Sequence, residues 1–489
     1  MSNQQPANIR RVVIIGGGIS GLAAAYQLTK PCAAGTQTPE VLLLEASARV
    51  GGTIHTHRRD DFLLEGGPDS FISEKPEAVR LAEELGLSAQ LIETNDAHRR
   101  SFIVRAGRLR PVPEGFQLLA PARFWPFVTS DIFSWAGKCR VALEAFVPTR
   151  PTANGDGNDD DESLADFVRR RFGREALERM AQPMVGGIYT ADPERLSLRA
   201  TMPRFLDMER AHGSVIRALV NARRRAGGTA NARGTSGARY SLFLTFAEGM
   251  QTLSDALARH LRTRADVRLD SSVKALHFDH EHKQWRLTLE DEETLMADAV
   301  CLALPAYRAA ELLRDTDDKL ADELIAIPYA STATVNLAFR RADIAHRLDG
   351  FGFVVPFVEK LTTLACTFSS VKFAGRAPEG HALLRAFVGG ALQPETFALD
   401  DDEMIKRVRD DLRLLLGINA APLFALVEKW PRSMAQYHLG HNARVARLRA
   451  RLAQLPALQL AGNAYGGAGV PDCIRSGTAA ADALLARLT

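Results

Sequence analysis

The chain contains little cysteine and no long uncharged apolar run. Its five cysteines are scattered along 489 residues, and no C-x-x-C or Cys/His metal spacing occurs. This pattern favours a reduced cytosolic setting and predicts no metal site. A membrane-spanning helix needs about 18 or more consecutive apolar residues, and none is predicted here. The polar residues before the first strand predict no secretory signal either, so any membrane contact is expected to be peripheral or monotopic.

A large excess of charge is also absent. Lysine and arginine number 61 and aspartate and glutamate 58, which leaves a net charge of +3. This value is too near neutral to indicate nucleic acid as the main partner. The 46% hydrophobic and 24% charged residues are typical of a globular protein. Because 489 residues exceed one compact core, we expect two or three domains.

A glycine cluster follows the first apolar stretch. Val12–Ile15 is a run of β-forming residues, and residues 16–18 lead from it into a helix-forming sequence. The pattern G-x-G-x-x-G between a strand and a helix indicates dinucleotide binding. Gly16 permits the turn, Gly18 lets the backbone approach a pyrophosphate and Gly21 lets the helix pack closely. The helix N-terminus then offers free N–H groups to the phosphates. A glycine-rich turn in an unrelated α/β protein is the alternative.

The second half of this unit ends in an acidic residue. Val41–Leu44 is a fully apolar strand that precedes Glu45. A carboxylate at that position can accept hydrogen bonds from ribose hydroxyls, and it disfavours a 2′-phosphate. Arg49 and the glycines at 51–52 suit a backbone that wraps a second time around a phosphate-bearing cofactor. A turn between hairpin strands is the alternative for this second loop.

The C-terminus has a similar order of elements. Leu458–Asn463 is predicted as a strand, 466–471 as a glycine-rich loop and Asp472–Leu488 as a helix. Backbone N–H groups at Gly469 and Val470 are expected to meet an extended cofactor, so that two helix N-termini bracket a long ligand. The alternative is a terminal helix that only packs against the rest of the chain.

Segment 115–148 is crowded with aromatic and apolar residues. It holds two of the four tryptophans, and Arg123, Lys138 and Arg140 are interleaved with them. Such a composition suits a segment that lies in a membrane interface. The alternative is the buried core of a helical subdomain.

Strand patterns further along predict a second sheet. They occur at 334–339, 350–355, 361–368 and 382–388, and they indicate an antiparallel sheet in a second domain. The acidic stretch 151–162 and the basic stretch 223–240 are predicted as loops.

Several phrases of the sequence resemble one family. Glu45-Ala46-x-x-Arg49-Val50-Gly51-Gly52, placed after the first dinucleotide unit, resembles the flavin amine oxidase superfamily, which implies FAD rather than NAD. Four more phrases are similar to the oxygen-dependent protoporphyrinogen and coproporphyrinogen oxidases of that group: GRLRPVP at 107–113, GIYTADPERLS at 187–197, FAEGMQTL at 246–253 and the closing motif at 462–477. The resemblance runs from about Val12 to Leu485. Glu248, in place of the usual glycine, and Thr190-Ala191, in place of small glycine-rich sequence, leave the local backbone geometry open.

The resemblance implies an α/β fold with three parts. These are a discontinuous Rossmann-like FAD-binding domain, an α+β substrate domain built on an antiparallel sheet, and a helical membrane-associating subdomain. The FAD-binding domain is expected at 1–90, 245–305 and 440–489, the substrate domain at 91–110, 190–244 and 306–439, and the helical subdomain at 111–189.

The resemblance also implies an activity in haem and porphyrin biosynthesis. The expected reaction is oxidation of protoporphyrinogen IX to protoporphyrin IX, and the alternative is oxidation of coproporphyrinogen III to coproporphyrin III. Six electrons would be removed with non-covalent FAD and molecular oxygen, and hydrogen peroxide would be released. The expected partners are the porphyrinogen, oxygen and a membrane surface, without nucleic acid; a homodimer and a ferrochelatase contact stay open. The expected location is cytoplasmic, with attachment to the inner face of the cytoplasmic membrane as a further option.

Matching to family positions implies two sets of site residues. The cofactor set is Gly16, Gly18, Ile19, Ser20, Gly21, Glu45, Ala46, Arg49, Gly51, Gly52, Thr53, Val273, Gly462, Asn463, Gly469, Val470 and Pro471. The substrate set is Phe387 against a pyrrole ring, Val354 and Thr367 lining the cleft, Thr190 and Ala191 presenting backbone, and Arg100 pairing with a propionate, with Arg99 as its alternative. No catalytic side chain is implied, because hydride loss to a flavin mainly needs positioning. The resemblance implies no metal ligand either.

Two other functions remain open at this point. An amine oxidase or a carotenoid desaturase would share the cofactor motifs. Amine oxidases of the group often pair aromatic side chains against the flavin, whereas Tyr465 stands alone near the closing motif, with Trp430 upstream. A non-catalytic binding protein on the same fold, like the GDP-dissociation inhibitors, would lack a functional flavin site. The intact glycine motifs and Glu45 argue against that class.

Overall fold

The computed structural model describes residues 10–31, 38–150, 161–225 and 243–488. Of the two stretches predicted as loops, 151–160 and 226–240 therefore lie outside the described residues.

A five-stranded parallel sheet forms the centre of the nucleotide-binding part. In spatial order its strands are Asp266–Arg268, Glu40–Leu44, Arg11–Ile15, Ala299–Leu302 and Leu458–Leu460. The three middle strands are almost wholly buried, which explains their continuous apolar sequences. Helices Ile19–Leu28, Gln251–Leu261 and Val470–Leu488 pack against this sheet in one hydrophobic cluster. The carboxyl ends of the strands, where such sheets bind ligands, lie along one edge.

Smaller elements surround this sheet. The antiparallel ladders are Val273–Asp279 with Gln284–Leu289 and Thr294–Ala297, Thr56–Arg59 with Phe62–Glu65, and Phe71–Ile72 with Phe243–Phe246 and Leu91–Glu93. The additional helices are Glu77–Glu84, Ala306–Leu313, Asp318–Ile325 and His441–Leu452.

A seven-stranded sheet forms the second part. In spatial order its strands are Phe424–Ala435, Tyr329–Arg340, His381–Gly389, Ala365–Phe368, Gly352–Val354, Phe102–Arg105 and Arg108–Pro111. The sheet is mixed rather than purely antiparallel, because the early strand Phe102–Arg105 runs parallel to Gly352–Val354. Helix Asp401–Leu416 covers one face with Met404, Val408 and Leu412. The short helices Ser369–Lys372 and Pro394–Phe397 flank the sheet.

The third part is helical. Its helices are Phe124–Thr129, Trp135–Ala142, Leu164–Arg171, Arg174–Ala176, Gln182–Tyr189, Leu198–Thr201, Pro203–His212 and Val215–Arg225, with a π-helical turn at Leu177–Ala181 and a small ladder of Phe116–Gln117 with Ala120–Pro121. The fully buried Arg171 contacts Glu144, and also Glu209 at 3.1 Å. This ion cluster ties helix Pro203–His212 to helix Leu164–Arg171.

Among the helices of the described residues, none is long and apolar enough to cross a membrane.

Candidate active site

In the first glycine loop, close packing requires glycine at two positions, while a third position is open to a ligand. A Cβ on Gly16 would lie 2.5 Å from the carbonyl oxygen of Ala303, and a Cβ on Gly21 would lie 1.9 Å from that of Gly16. At Gly18 no described atom lies within 4 Å of the Cβ position. Helix Ile19–Leu28 begins there without a side-chain cap, so its first N–H groups remain available to phosphates. The loop therefore fits a dinucleotide pyrophosphate.

Glu45 and Arg49 organise the second loop. One oxygen of Glu45 accepts a hydrogen bond from the Gly17 backbone at 2.6 Å, and the other accepts from the Ser47 backbone at 2.9 Å. The Arg49 guanidinium donates to the carbonyls of Ile54 at 3.0 Å and Gly52 at 2.7 Å. Arg49 thus braces the turn through Gly51, Gly52 and Thr53. Because Gly51 donates from its backbone to the Gly17 carbonyl at 2.8 Å, the two loops lie side by side.

Substitution of Glu45 tests this arrangement. We expect Glu45→Ala to weaken FAD binding by about 1–3 kcal/mol, because a charge-assisted acceptor is lost next to both loops. Equilibrium dialysis with flavin fluorescence gives the dissociation constant. Glu40→Ala is the matched control, since Glu40 begins the strand that Glu45 follows and forms a surface ion pair with Arg11. Unchanged FAD affinity in Glu45→Ala would contradict the assignment.

The closing motif and Val273 lie near the same loops. Helix Val470–Leu488 starts directly after Gly469, with Pro471 in its first turn, and a Cβ on Gly477 would lie 2.0 Å from the Ser20 carbonyl oxygen. The helix therefore packs tightly on the first nucleotide-binding helix. Gly462 has a φ of +141° and Asn463 donates to the Ser433 carbonyl at 3.0 Å. Val273 begins a strand two residues after Ser271, whose backbone donates to the Glu45 carbonyl at 2.8 Å.

A loop at Gly66 and Gly67 joins the cofactor loops to the seven-stranded sheet. A Cβ on Gly67 would lie 1.6 Å from the Thr53 carbonyl oxygen. The Gly66 carbonyl accepts hydrogen bonds from the side chains of Thr334 and Trp430, each at 2.9 Å. The Gly67 carbonyl accepts one from Arg385. This loop therefore fixes the sheet relative to the second glycine turn.

This junction was not predicted from the sequence. The available signal was Arg385, the one charged residue within the apolar run 382–389 of strand His381–Gly389. Buried charges indicate a specific partner, and here the partners are the Gly67 carbonyl and Asp69, whose Oδ2 is 4.0 Å from Arg385. Lys372 is also bound to Asp69, at 2.9 Å.

Buried charges of both signs lie beneath the loop. Burial alone would raise the pKa of Asp69, but the positive charges of Lys372 and Arg385 outweigh it and hold this pKa below its ordinary value. Burial raises the pKa of Glu65, and hydrogen bonds from the Met250 backbone and the Thr56 side chain oppose that rise. Asp69 is therefore a permanent anion that anchors the two cations.

One face of the seven-stranded sheet gathers three predicted substrate residues. Val354, Ala365, Phe387 and Thr334 form one row across neighbouring strands. Thr367 and Arg385 form a pair on the same two strands as Ala365 and Phe387, two residues away from them. Because residues two apart on a strand share a face, Val354, Thr367 and Phe387 lie on the side of the sheet whose Thr334 and Arg385 contact the Gly66–Gly67 loop. All three are half-buried, and the Arg385 guanidinium lies 4.7 Å from the centre of the Phe387 ring.

Thr190 borders this face. It ends helix Gln182–Tyr189 in a left-handed conformation with a φ of +50°, and its carbonyl accepts from the Ala391 backbone at 2.8 Å. Thr190 therefore lies beside the end of the strand that carries Phe387, and Ala191 next to it is buried. A β-branched residue in this conformation is strained, by about 1–3 kcal/mol, and such strain persists where the surroundings impose it.

The other departure from the family pattern has a simple structural outcome. Glu248 has no positive φ, so its position does not require glycine; Gly249 supplies the left-handed residue with a φ of +95°. The Glu248 side chain is exposed and forms an ion pair with Arg58.

Arg100, the predicted propionate partner, forms an ion pair within the protein. Arg100 pairs with Asp349 at 3.0 Å and is half-exposed. The neighbouring Phe102 belongs to the hydrophobic cluster beneath helix Asp401–Leu416, on the opposite face of the sheet. The alternative, Arg99, is bound to Asp96, and its side chain is mostly buried.

The chain matches a known protein family and several known proteins over almost its whole length. A family model described as flavin containing amine oxidoreductase matches residues 19–485. Coproporphyrinogen III oxidase of Bacillus subtilis is 36% identical over 480 residues, which cover 97% of this chain and 98% of that protein. Protoporphyrinogen oxidase 2 of Arabidopsis thaliana is 29% identical over 497 residues, which cover 98% of this chain and 94% of that protein. A crystal structure assigned as a protoporphyrinogen oxidase of Exiguobacterium sp. 255-15 has a TM-score of 0.83 at 30% identity and covers 99% of each chain.

Proposed function

This chain belongs to the flavin containing amine oxidoreductase family, and on that premise we propose that it oxidises a porphyrinogen to a porphyrin with non-covalent FAD and oxygen. The observation that carries the proposal is the sheet face with Val354, Thr367 and Phe387, which the Gly66–Gly67 loop joins to the cofactor loops. A porphyrinogen is large and mostly apolar, and a broad sheet face beside the cofactor suits it.

The cofactor and the chain have separate tasks in this proposal. FAD, when bound, supplies a two-electron acceptor that oxygen can reoxidise with release of hydrogen peroxide. Gly18, Glu45 and the N-terminus of helix Ile19–Leu28 would hold its phosphates and ribose. Phe387 offers an aromatic ring to the apolar tetrapyrrole, and Arg385 beneath it fixes the height of that ring. These side chains bind, orient and exclude water, which favours catalysis by positioning rather than by a side-chain base.

Coproporphyrinogen III is the substrate that we favour, with protoporphyrinogen IX as the alternative. The Bacillus subtilis coproporphyrinogen III oxidase is 36% identical to this chain, whereas the Arabidopsis thaliana protoporphyrinogen oxidase is 29% identical. Both relatives cover nearly the whole chain, so the difference is not one of length.

The test compares both porphyrinogens with an amine under oxygen. Purified FAD-loaded protein is given each porphyrinogen, and porphyrin fluorescence and peroxide are followed; putrescine serves as the amine. We expect porphyrin and peroxide with a higher kcat/KM for coproporphyrinogen III. Peroxide with putrescine and no porphyrin would indicate an amine oxidase. A colourless protein that binds no added FAD would indicate a non-catalytic binding protein.

We also propose that the helical part attaches to a membrane surface. Phe127 and Phe133 of segment 115–148 are buried in the core, so this part of the segment has a packing role. Trp125, Trp135 and Phe146 are instead 72%, 71% and 76% exposed. Exposed tryptophans of this kind are typical of membrane interfaces. This attachment would place the protein at the inner face of the cytoplasmic membrane.

Exchange of the exposed tryptophans tests the attachment. Trp125→Gln with Trp135→Gln should reduce binding to vesicles that contain anionic lipid by about tenfold or more, because the apolar anchors are lost. Flotation of the FAD-loaded protein measures this. Leu414→Gln with Ile325→Gln is the matched control, since Leu414 and Ile325 are exposed apolar side chains on other helices. Equal flotation of the wild type, the tryptophan variant and the control would contradict the proposal. Loss of FAD from the tryptophan variant with unchanged flotation would also contradict it.

A further inference from the structure

Two histidines and a carboxylate converge next to the Gly66–Gly67 loop. His55 Nδ1 lies 3.2 Å from one oxygen of Glu428, and His57 Nε2 lies 2.9 Å from the other. The two imidazole rings are adjacent, with centroids 3.8 Å apart. One ligand atom from each of the three residues lies within 4.8 Å of the others. The side chains are 25%, 28% and 19% exposed, so they are partly buried but reachable from solvent.

The local backbone explains this convergence. His55 directly precedes strand Thr56–Arg59 and His57 is its second residue, so the two side chains are two residues apart and point to one side. The His55 carbonyl accepts from the Gly66 backbone at 2.8 Å, which holds the histidines beside the loop. Glu428 comes from the outer strand Phe424–Ala435 and lies opposite Thr334 in the sheet register. The cluster therefore bridges the hairpin of the nucleotide-binding part and the seven-stranded sheet.

The donor set suits a borderline divalent metal ion. Imidazole nitrogens and carboxylate oxygens both bind Zn²⁺ at about 2.0–2.1 Å, so tetrahedral ligands lie roughly 3.3 Å apart. His55 Nδ1 and His57 Nε2 lie 3.2 and 2.9 Å from different oxygens of Glu428, and one ligand atom of each residue lies within 4.8 Å of the others, so small side-chain shifts would bring three ligands to that spacing. Histidine binds such an ion as the neutral imidazole and glutamate as the carboxylate.

We propose that His55, His57 and Glu428 form a three-residue Zn²⁺ site that links the cofactor-binding hairpin to the edge of the seven-stranded sheet. Water completes the coordination at the fourth position, which faces solvent. The sequence predicted no metal site because the spacing rules look for ligands close together, and Glu428 is 371 residues from His57. The proposal does not depend on which substrate the enzyme oxidises.

Zinc binding by the FAD-loaded full chain tests the site. After removal of metals with a chelator, the protein is dialysed against Zn²⁺ and its zinc and FAD contents are measured. We expect one zinc per chain and a rise in the unfolding temperature with Zn²⁺, because a ligand that binds only the folded state stabilises it. His57→Gln should lower the affinity for Zn²⁺ by about 100-fold or more, since loss of even an outer partner of a metal site costs about 10- to 100-fold.

Two further variants make the result specific. His282→Gln is the matched control, because His282 forms an exposed pair with Asp279 at 3.0 Å elsewhere on the surface. Its zinc binding should equal that of the wild type. Glu428→Gln should also weaken Zn²⁺ binding. If His57→Gln loses FAD, Glu428→Gln becomes the variant that decides the test. Zinc well below one per chain in the wild type would overturn the proposal, and so would equal zinc affinity in the wild type and a folded, FAD-loaded ligand variant.

Discussion

Gly67→Ala is expected to lose FAD on purification and to reduce oxidase activity by about 100-fold or more. The added Cβ would lie 1.6 Å from the Thr53 carbonyl oxygen, a contact with backbone that no side-chain rotation can relieve. Either the second glycine turn or the Gly66–Gly67 loop must therefore shift. The loop cannot shift freely, because its carbonyls accept hydrogen bonds from Thr334, Trp430 and Arg385. A displacement of about 1 Å near reacting groups is enough to cost about 100-fold in rate.

The measurement is the ratio of FAD to protein, followed by porphyrin formation with excess FAD. Gly186→Ala is the matched control, since Gly186 lies in helix Gln182–Tyr189, outside the cofactor motifs, and the nearest atom to its Cβ position is the flexible Gln182 side chain at 3.4 Å. It should keep its flavin. Circular dichroism of both variants separates a local effect from unfolding. A folded Gly67→Ala protein with full FAD content and normal kinetics would show that the loop does not position the cofactor.

The nucleotide-binding elements were predictable because their information is local. Val12–Ile15, the glycines after it and Glu45 lie within one short βαβ unit, where strand, turn and helix patterns follow each other. The structure has strands at Arg11–Ile15 and Glu40–Leu44 and a helix at Ile19–Leu28, as the patterns predict. The FAD cofactor was likewise correctly inferred from the resemblance.

The junction between sheet and cofactor loops was not predictable in the same way. Arg385 and the Gly67 carbonyl that it contacts are 318 residues apart, so no local pattern reports their contact. The face on which a side chain lies also depends on register, since a shift of one residue moves it to the other face. Phe387, Val354 and Thr367 share a face for this reason, whereas Phe102, two residues after Arg100, lies on the other one.

Segment 115–148 shows the same limit for surface residues. Its composition favours both a membrane interface and a buried core, and the structure divides the segment between buried Phe127 and exposed Trp125. Periodicity could not separate them, because the helices Phe124–Thr129 and Trp135–Ala142 are short.

The second large effect is expected from Phe387→Ala, which should reduce kcat/KM for the porphyrinogen by about 30- to 150-fold. Truncation removes an aromatic contact worth about 2–3 kcal/mol from the face that meets the tetrapyrrole. It also uncovers Arg385, whose guanidinium lies 4.7 Å from the ring centre. The substrate is then no longer held at a fixed distance from the cofactor, and it also loses contact area. We therefore expect kcat to fall together with apparent affinity, while Phe387→Leu keeps part of both.

Arg100→Ala provides the contrast that locates the cleft. In the structure Arg100 pairs with Asp349 and is half-exposed, so its loss should change KM less than about threefold at any ionic strength. Steady-state porphyrin fluorescence at low and high salt, with FAD occupancy checked first, measures both variants. A large KM increase in Arg100→Ala that shrinks at high salt would instead assign a propionate to Arg100, because screening weakens exposed charge pairs. Wild-type kinetics in Phe387→Ala would mean that the porphyrinogen binds away from this sheet face, since an aromatic side chain that stacks on the substrate cannot be removed without cost.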